Sequence, residues 1–592
     1  MDMRRTLIGF IIGVVALSTL WIMGAHFALT YLAVALYVLA LLMIPGYAVG
    51  LVLFKDSSPS FRIAASAAVA SPIYAVAILL ATTLGNYRDT FSSIFSILMI
   101  GGSLLFLLRK RHYLSDFLRA DRTHLNWTLL MFLFSILLMA LPATVNDIPY
   151  LRGHSVQETR LPIAPGDQYL PYRFAQILLN GADWKGVNFY GIWQVTDRTP
   201  LMGLIAAFVL SSLQVIPPLD WVWNVPSGAF SWNVFQITGC LLDAQVLLSA
   251  YLILEKLFGT AKTRLTMPFL AVSAFMIWNT FYTSPKSMAA YFILLSLTLV
   301  LERKSIHAGV IAALGFLSHS YVTFYILGFL FLIGRRLRQD LSVRRDVLIF
   351  LLSAGLAVAP WFLWSSYLYG HTSSFILYPM TSTAEEATLG STHVIERFLK
   401  APAALIIWVR IVNIFRTLLP WPLMVTPKWF SEFGWSDILW WPDASTNSMN
   451  ALLLLTYLFT LPGALSLSLA LPAYLAWLRS KSKVIFSSVT LPIIFTTLFF
   501  GYTDAGRASL MAQPLVPLLV GGAVSSLNKR IASILFITSV IEYVYFIWMN
   551  VYPAHLLLTK ISSVSDCILF LGIIVWGMIA ARMTLTAFKQ AT

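Results

Sequence analysis

Uncharged apolar runs of about 20 residues, the length that spans the hydrocarbon core of a bilayer as a helix, recur along almost the whole chain. No soluble core accommodates so many of them, so the chain is constrained to a bundle of helices that each satisfy their own backbone hydrogen bonds in lipid. Composition agrees: 58% of the 592 residues are apolar and 11% are charged, against about 45–50% and about 25% in soluble domains. Apolar runs place crossings at 6–24, 28–54, 63–84, 91–108, 126–145, 233–256, 265–282, 287–302, 306–318, 320–334, 347–369, 449–478, 484–501, 510–526, 531–550 and 566–583. The expectation is an all-α polytopic integral membrane protein with about 16 transmembrane helices, in which 306–334 is split into two short segments.

The 40 Lys and Arg against 25 Asp and Glu give a net charge of +15, and a basic chain raises the question of nucleic acid. Position along the chain answers it. Arg4, Arg5, Lys55, Arg62 and the cluster Arg109, Lys110, Arg111, Arg119 and Arg122 fall in alternate loops, so they share one side, as the positive-inside bias requires. The same assignment puts about 26 of the 40 basic residues inside and both termini in the cytoplasm. Short outer loops keep Arg88, Lys286, Arg507 and Lys560. The charge therefore orients helices in a plasma (inner) membrane, with membrane lipids as neighbours and no nucleic acid as partner. The apolar run after Arg4 and Arg5 reaches Trp21 without an Ala-x-Ala site, which reads as a first membrane helix and not as a cleaved signal. Cys240 and Cys567 lie inside apolar runs and imply no disulfide framework.

Two outward segments, 146–200 and 370–447, are too long and too polar to be connections, and their aromatic and proline content predicts two folded extracytoplasmic loops. The shorter apolar pieces 201–213 and 401–419 read as interfacial or re-entrant helices. Otherwise Lys256, Lys262 and Arg264 would lie outside.

In the first outer segment, Pro165-Gly166 makes a turn before Asp167 and Gln168, and a short amphipathic helix is predicted to start near Tyr169, with Ala175, Ile177, Leu178 and Leu179 on its apolar face. Asp167 has two compatible readings. It is an N-cap for that helix, or a general base at the water–membrane boundary, where partial desolvation strengthens a carboxylate as a proton acceptor. Asp243 lies within an apolar run, where an ionisable group is functional by default unless an internal partner explains it. His319, in Ser318-His319-Ser320-Tyr321, falls between two apolar segments and reads as a hydrogen-bonded structural histidine or a ligand contact. Trp184, Trp193, Trp421, Trp435, Trp440 and Trp441 fit an aromatic belt or sugar stacking.

Three stretches carry a resemblance: Gly166-Asp167-Gln168 followed by Arg173 to Trp184 and then Asp197-Arg198-Thr199-Pro200; Ala359-Pro360-Trp361-Phe362-Leu363-Trp364; and Gly506-Arg507 followed by Pro514 to Pro517. In this order, over about residues 126–526, they resemble the GT-C glycosyltransferases of the protein O-mannosyltransferase, lipid A aminoarabinose transferase and oligosaccharyltransferase group. The resemblance implies a GT-C-like helical bundle with a catalytic membrane core at 126–526, N-terminal helices at 1–125 additional to that core, and C-terminal helices at 527–592. It implies transfer of a sugar from a polyprenyl-phosphate donor to a glycan, lipid or protein acceptor by inverting displacement. Asp167 matches the acidic position associated with acceptor activation, and Tyr169, Arg173, Asp197 and Arg198 become substrate contacts. Gln168 stands where many members carry a second acid, so no metal or other cofactor is expected; Asp147, Glu158, Asp183 and Asp197 keep a metal-dependent version open, since hard cations need several oxygen ligands. Arg507 is the first candidate for the donor phosphate, because a guanidinium can bond two oxygens in parallel; its other reading is a snorkelling anchor. Lys286, Arg410 and His319 follow it, Arg410 also suiting lipid headgroups. Two other functions fit the composition: a glycan polymerase or ligase using lipid-diphosphate donors, and a transporter or lipid flippase, which leaves the two long outer segments unexplained.

Overall fold

The computed structural model describes residues 26–110, 113, 169–217 apart from 187 and 190–192, 230–334 apart from eight positions between 272 and 284, and 343–370. It also describes 407, 487–492 apart from 489, 513–527, 532 and 536. These residues form an all-α membrane protein. The helices are α1 (His26–Leu53), α2 (Pro59–Thr82), α3 (Arg88–Arg109), α4 (Tyr169–Asn180), α5 (Leu201–Ser212), α6 (Phe230–Ala244), α7 (Val246–Phe258), α8 (Thr260–Ala271), α9 (Lys286–Leu301), α10 (Ser305–Ser318), α11 (Val322–Gly334), α12 (Val343–Tyr369) and α13 (Leu515–Ser526). Non-helical pairing among them is confined to two-residue antiparallel strands, β1 (Asn188–Phe189) and β2 (Trp193–Gln194), inside the first outer segment. Leu32–Leu53, Pro59–Thr82, Gly85–Arg109, Phe230–Phe258 and Val343–Tyr369 are each long and apolar enough to cross a bilayer. The expected crossings 6–24, 126–145, 449–478 and 566–583 lie outside the described residues, as do 371–406 and 408–448, and 531–550 is described at Ala532 and Phe536.

Packing distinguishes core helices from peripheral ones. Phe230–Phe258 is buried throughout its apolar window, whereas α3 and α12 present Ile97, Leu98, Leu105, Leu356 and Leu363 outward at 61–74% exposure. Among the described residues no helix covers those apolar faces, as suits surfaces turned to lipid. The first helices join the same core as the rest. Small residues Ala64, Ala65, Ser66, Ala67, Ala68 and Ala70 let α2 approach its neighbours closely, and Gly46 of α1 lies against the backbone of Ser66. Tyr291 of α9 inserts into the α2 hydrogen-bond ladder, donating to Ala64 O at 2.6 Å and accepting from Ala68 N at 3.0 Å. Pro72 follows one turn later, and an inserted side chain with a nearby proline is a recognised origin of a helix bend.

Charged side chains gather at one end of the bundle. Lys304 donates to Ser57 at 2.7 Å and pairs with Glu302 at 3.2 Å, Glu302 also takes Lys256 at 3.2 Å, and Arg62 bonds the carbonyls of Phe54 and Lys55. Lys55, Arg62, Lys256 and Lys304 therefore meet at one level, as expected of positions that the sequence assigns to a common side. Towards the other end, α5 crosses the bundle. Thr199, two residues before it begins, is tied to Ser318, about 20 Å along α10 from Ser305, and the last residue of α5 to Tyr37, about 24 Å along α1 from Leu53. Both ends of α5 thus sit at similar depth, and all 12 of its residues are buried. At 1.5 Å per residue it is about 18 Å long, too short to span, which suits the expected re-entrant or interfacial helix.

Candidate functional site

A helix covers Tyr169–Asn180, within the stretch where the pattern places one. Leu170, Tyr172, Phe174, Ala175, Ile177 and Leu179 are buried and Leu178 is half-buried, a wider apolar face than the sequence suggests because α5, α6 and neighbouring aromatics cover it from several sides. Tyr172 donates to or accepts from Ser231 Oγ at 2.8 Å and packs edge-on to Trp232; burial pushes its hydroxyl pKa up, with the Ser231 bond acting the other way. Gly181, at φ +60°, ends the helix in a left-handed turn that lets Ala182 N reach Ile177 O at 3.2 Å. Asn180 bonds Pro217 O at 3.0 Å, and Arg88, paired with Asp89 at 2.8 Å, donates to Leu179 O. The segment is thus docked at both its C-terminal turn and its buried face.

That turn aims Trp184 at α12. Its ring lies 5.2 Å from both Phe174 and Trp364, Trp361 stands 5.1 Å from Trp364, and Tyr369 donates to Trp184 O at 3.0 Å. Trp184 here belongs to a packed aromatic cluster as well as to any belt. The contact depends on Gly203 of α5, where a Cβ would lie 2.9 Å from Phe174 Cδ1 and 3.0 Å from Pro171 O. Gly203→Val is expected to push α4 off α5 and to cost about 1–3 kcal/mol by overpacking, read as a lowered melting temperature and faster proteolysis within 169–186.

Next to this cluster the chain turns through Val195–Asp197 into Arg198, Thr199 and Pro200. Thr199 Oγ1 donates to Ser318 O at 2.6 Å, which brings the start of α5 to the break between α10 and α11. At that break His319 is extended and half-buried; its Nδ1 accepts from Tyr321 N at 3.3 Å and its ring lies 5.0 Å from that of Tyr321. The two short segments expected at 306–334 are therefore real, and His319 sits at their junction. Tyr321 in turn donates to Lys286 O at 2.8 Å. Lys286 is 4% exposed, where the sequence suggested an open outer turn; it is the first residue of α9, about 22 Å along that helix from Leu301, and its burial follows from lying within the bundle. Ser287 Oγ donates to Gln513 Oε1 at 2.6 Å, and Gln513 Nε2 donates to Asn279 Oδ1 at 2.7 Å. Asp243, fully buried, accepts from Met288 N at 2.8 Å, the internal partner that its position within an apolar run called for.

A polar layer results: Thr199 bonds Ser318, His319 and Lys286 both meet Tyr321, and Gln513 and Asp243 bond Ser287 and Met288, the residues next after Lys286. Of the residues singled out in the sequence, Lys286 and His319 are joined through Tyr321, and half-buried Arg198 adjoins Thr199. Arg173 donates to Gln176 on the same helix at 3.0 Å. Asp167, Arg410 and Arg507 lie outside the described residues, as do the side chains of Tyr169 and Asp197. Tyr321 and Gln513 escaped the sequence reading; the signals were a polar break in an apolar run and a Gln-Pro step into a helix. Asp183 is exposed and accepts from Lys185 N at 3.1 Å, and among the described residues no three His, Cys, Asp or Glu side chains come together.

No protein-family model and no curated protein sequence matches the chain. Two solved structures resemble it. The crystal structure of ArnT from Cupriavidus metallidurans bound to undecaprenyl phosphate has 13% identity and a TM-score of 0.40, covering 77% of this chain and 76% of that one. The same protein in the apo state has 10% identity and a TM-score of 0.39, covering 73% and 72%. At these TM-scores the likeness carries no argument about the site.

Proposed function

We propose that this protein is a membrane glycosyltransferase that moves a sugar from a polyprenyl-phosphate donor to an acceptor hydroxyl on the extracytoplasmic face of the plasma membrane. The observation that carries the reading is the meeting of separate outer-segment motifs. Trp184 packs on Trp364, which in turn meets Trp361, Thr199 bonds Ser318 beside His319, and Gln513, six residues after Arg507 in sequence, bonds Ser287 beside Lys286. Trp184, Thr199, Trp361 and Trp364 lie in stretches in which the sequence resembles the GT-C enzymes, and Gln513 stands between the Arg507 and Pro514 parts of the third.

The chemistry suits a polar layer set below the outer ends of apolar helices. A polyprenyl chain stays in lipid while its phosphate reaches polar groups in a concave site. In a single displacement the acceptor oxygen bonds the anomeric carbon as the bond from that carbon to phosphate oxygen breaks. The bonding electrons leave with the phosphate, and configuration inverts. Asp167 takes the acceptor proton, and Arg507 holds the phosphate through two parallel hydrogen bonds. Phosphate needs no acid to leave. Gln168 in place of a second carboxylate favours a reaction without a divalent metal.

Donor comparison tests this. Purified protein should transfer sugar from a polyprenyl-monophosphate donor, undecaprenyl phosphate being the first carrier to try, and should keep its rate in EDTA. Transfer from diphosphate donors alone would instead establish a polymerase or ligase, and loss of activity in EDTA restored by a divalent ion would reverse the metal assignment.

A further inference from the structure

The helices α4 and α5 lie side by side and run in the same direction. Near their starts, a Cβ on Gly203 of α5 would lie 3.0 Å from Pro171 O of α4. Near their ends, Leu179 and Ser211, each the last residue but one of its helix, are joined through two consecutive residues of α3. Arg88 Nη1 donates to Leu179 O, and Asp89 Oδ1 accepts from Ser211 Oγ at 2.7 Å.

The bonding of this pair holds the two ends in a fixed relation. Arg88 Nε and Nη2 donate to the two oxygens of Asp89 at 2.8 and 3.1 Å, a bidentate fork that leaves Nη1 aimed at α4. Leu179 O is one of the last four carbonyls of its helix, which find no partner within it. Two helices running the same way also bring their negative ends together, where a guanidinium is favourable. One residue further along α5, Ser93 donates to Ser212 O at 2.8 Å and Tyr37 to Ser212 Oγ at 2.7 Å, so α3 and α1 both fasten that end.

The opposite ends carry the motifs. Asp167 stands two residues before α4 in the sequence, and Asp197–Pro200 lead directly into α5. Each helix is a rod about 18 Å long, so the setting of its end at α3 is carried to its start. We propose that Arg88 is a positioning residue: forked to Asp89, it sets α4 against α5 and so places Asp167 for the acceptor. This rests on the glycosyltransferase reading and extends it to α3, which precedes the stretch that resembles the GT-C enzymes. A plain helix cap would add stability and leave the turnover of folded protein alone.

The experiment compares full-length Arg88→Met, Arg88→Lys and Ser211→Ala with wild type in detergent, below the melting temperature of each. Hydrogen exchange within 176–186 reports on the clamp, and steady-state transfer from a polyprenyl-monophosphate sugar reports on the reaction. Arg88→Met should speed exchange in the last turn of α4 by about tenfold. Its kcat should fall by about tenfold, with the donor KM within about twofold of wild type. Arg88→Lys keeps the charge and loses the fork, and should lie close to Arg88→Met. If Arg88→Met does not fold, Ser211→Ala, which frees α5 from Asp89 and leaves Arg88 on Leu179, carries the test with a fall in kcat of about threefold. Wild-type kcat in the folded variants, unchanged exchange in Arg88→Met, or full rescue by lysine would overturn the proposal. Wild type that transfers no sugar would sink the glycosyltransferase reading, while the exchange arm still decides whether Arg88 holds α4.

Discussion

Asp167→Asn should lower the turnover of sugar transfer by about 10²–10⁴-fold and leave undecaprenyl phosphate binding near the wild-type level. The size follows from the role. A positioned base removes the acceptor proton as the new bond forms, and an amide cannot accept it. The alternative reading of Asp167 as an N-cap for α4 makes a different forecast, because asparagine caps helices about as well as aspartate. A capping role would leave both stability and rate unchanged. Parallel measurement of kcat and melting temperature therefore separates the two readings, and a folded variant with full turnover removes Asp167 from the mechanism.

The largest stability effect is expected at Gly46, far from that chemistry. A Cβ at this position of α1 would meet Ser66 O and lie 2.9 Å from Ser66 Cα, so the obstacle is the backbone of α2 and not the movable end of a side chain. Gly46→Leu should force the two helices apart and cost about 3 kcal/mol or more. The consequence reaches the polar layer through α2, which is tied to α9 by Tyr291 and packs on α5. Reduced yield of monodisperse protein and a lower melting temperature are the expected results, whereas Gly50→Leu, whose Cβ would have nothing within 4 Å, should be tolerated. Equal behaviour of the two variants would contradict the close packing of α1 on α2.

Much of this architecture is legible from local pattern. The break at His319 shows as polar residues between two apolar runs, and the helix over Tyr169–Asn180 shows as an amphipathic stretch. The shortness of α5 follows from charge placement, since Lys256 has to lie with Lys304. What pattern does not carry is which helices touch. α1, α2 and α9 are apolar nearly all round, so periodicity assigns them no preferred face. The resemblance starts the motif-bearing core at residue 126, yet Tyr291 reaches back to Ala64 and Ala68, and Ser211 of α5 donates to Asp89 at 2.7 Å. Similarly, Asp243 is visible as an odd charge within an apolar run. Its bond to Met288 in the first turn of α9 needs the fold, because the two lie 45 positions apart. Tyr321 and Gln513 are ordinary in sequence and acquire meaning through the groups they bridge.

The central claim is that the apolar bundle and its outer segments serve group transfer and not transport. Purified protein in sealed proteoliposomes, given a polyprenyl-phosphate sugar and an extract of envelope acceptors, reports on both. Labelled sugar covalently joined to acceptor, with matching release of polyprenyl phosphate, is the predicted result; labelled lipid crossing the bilayer without any glycosyl transfer would contradict it.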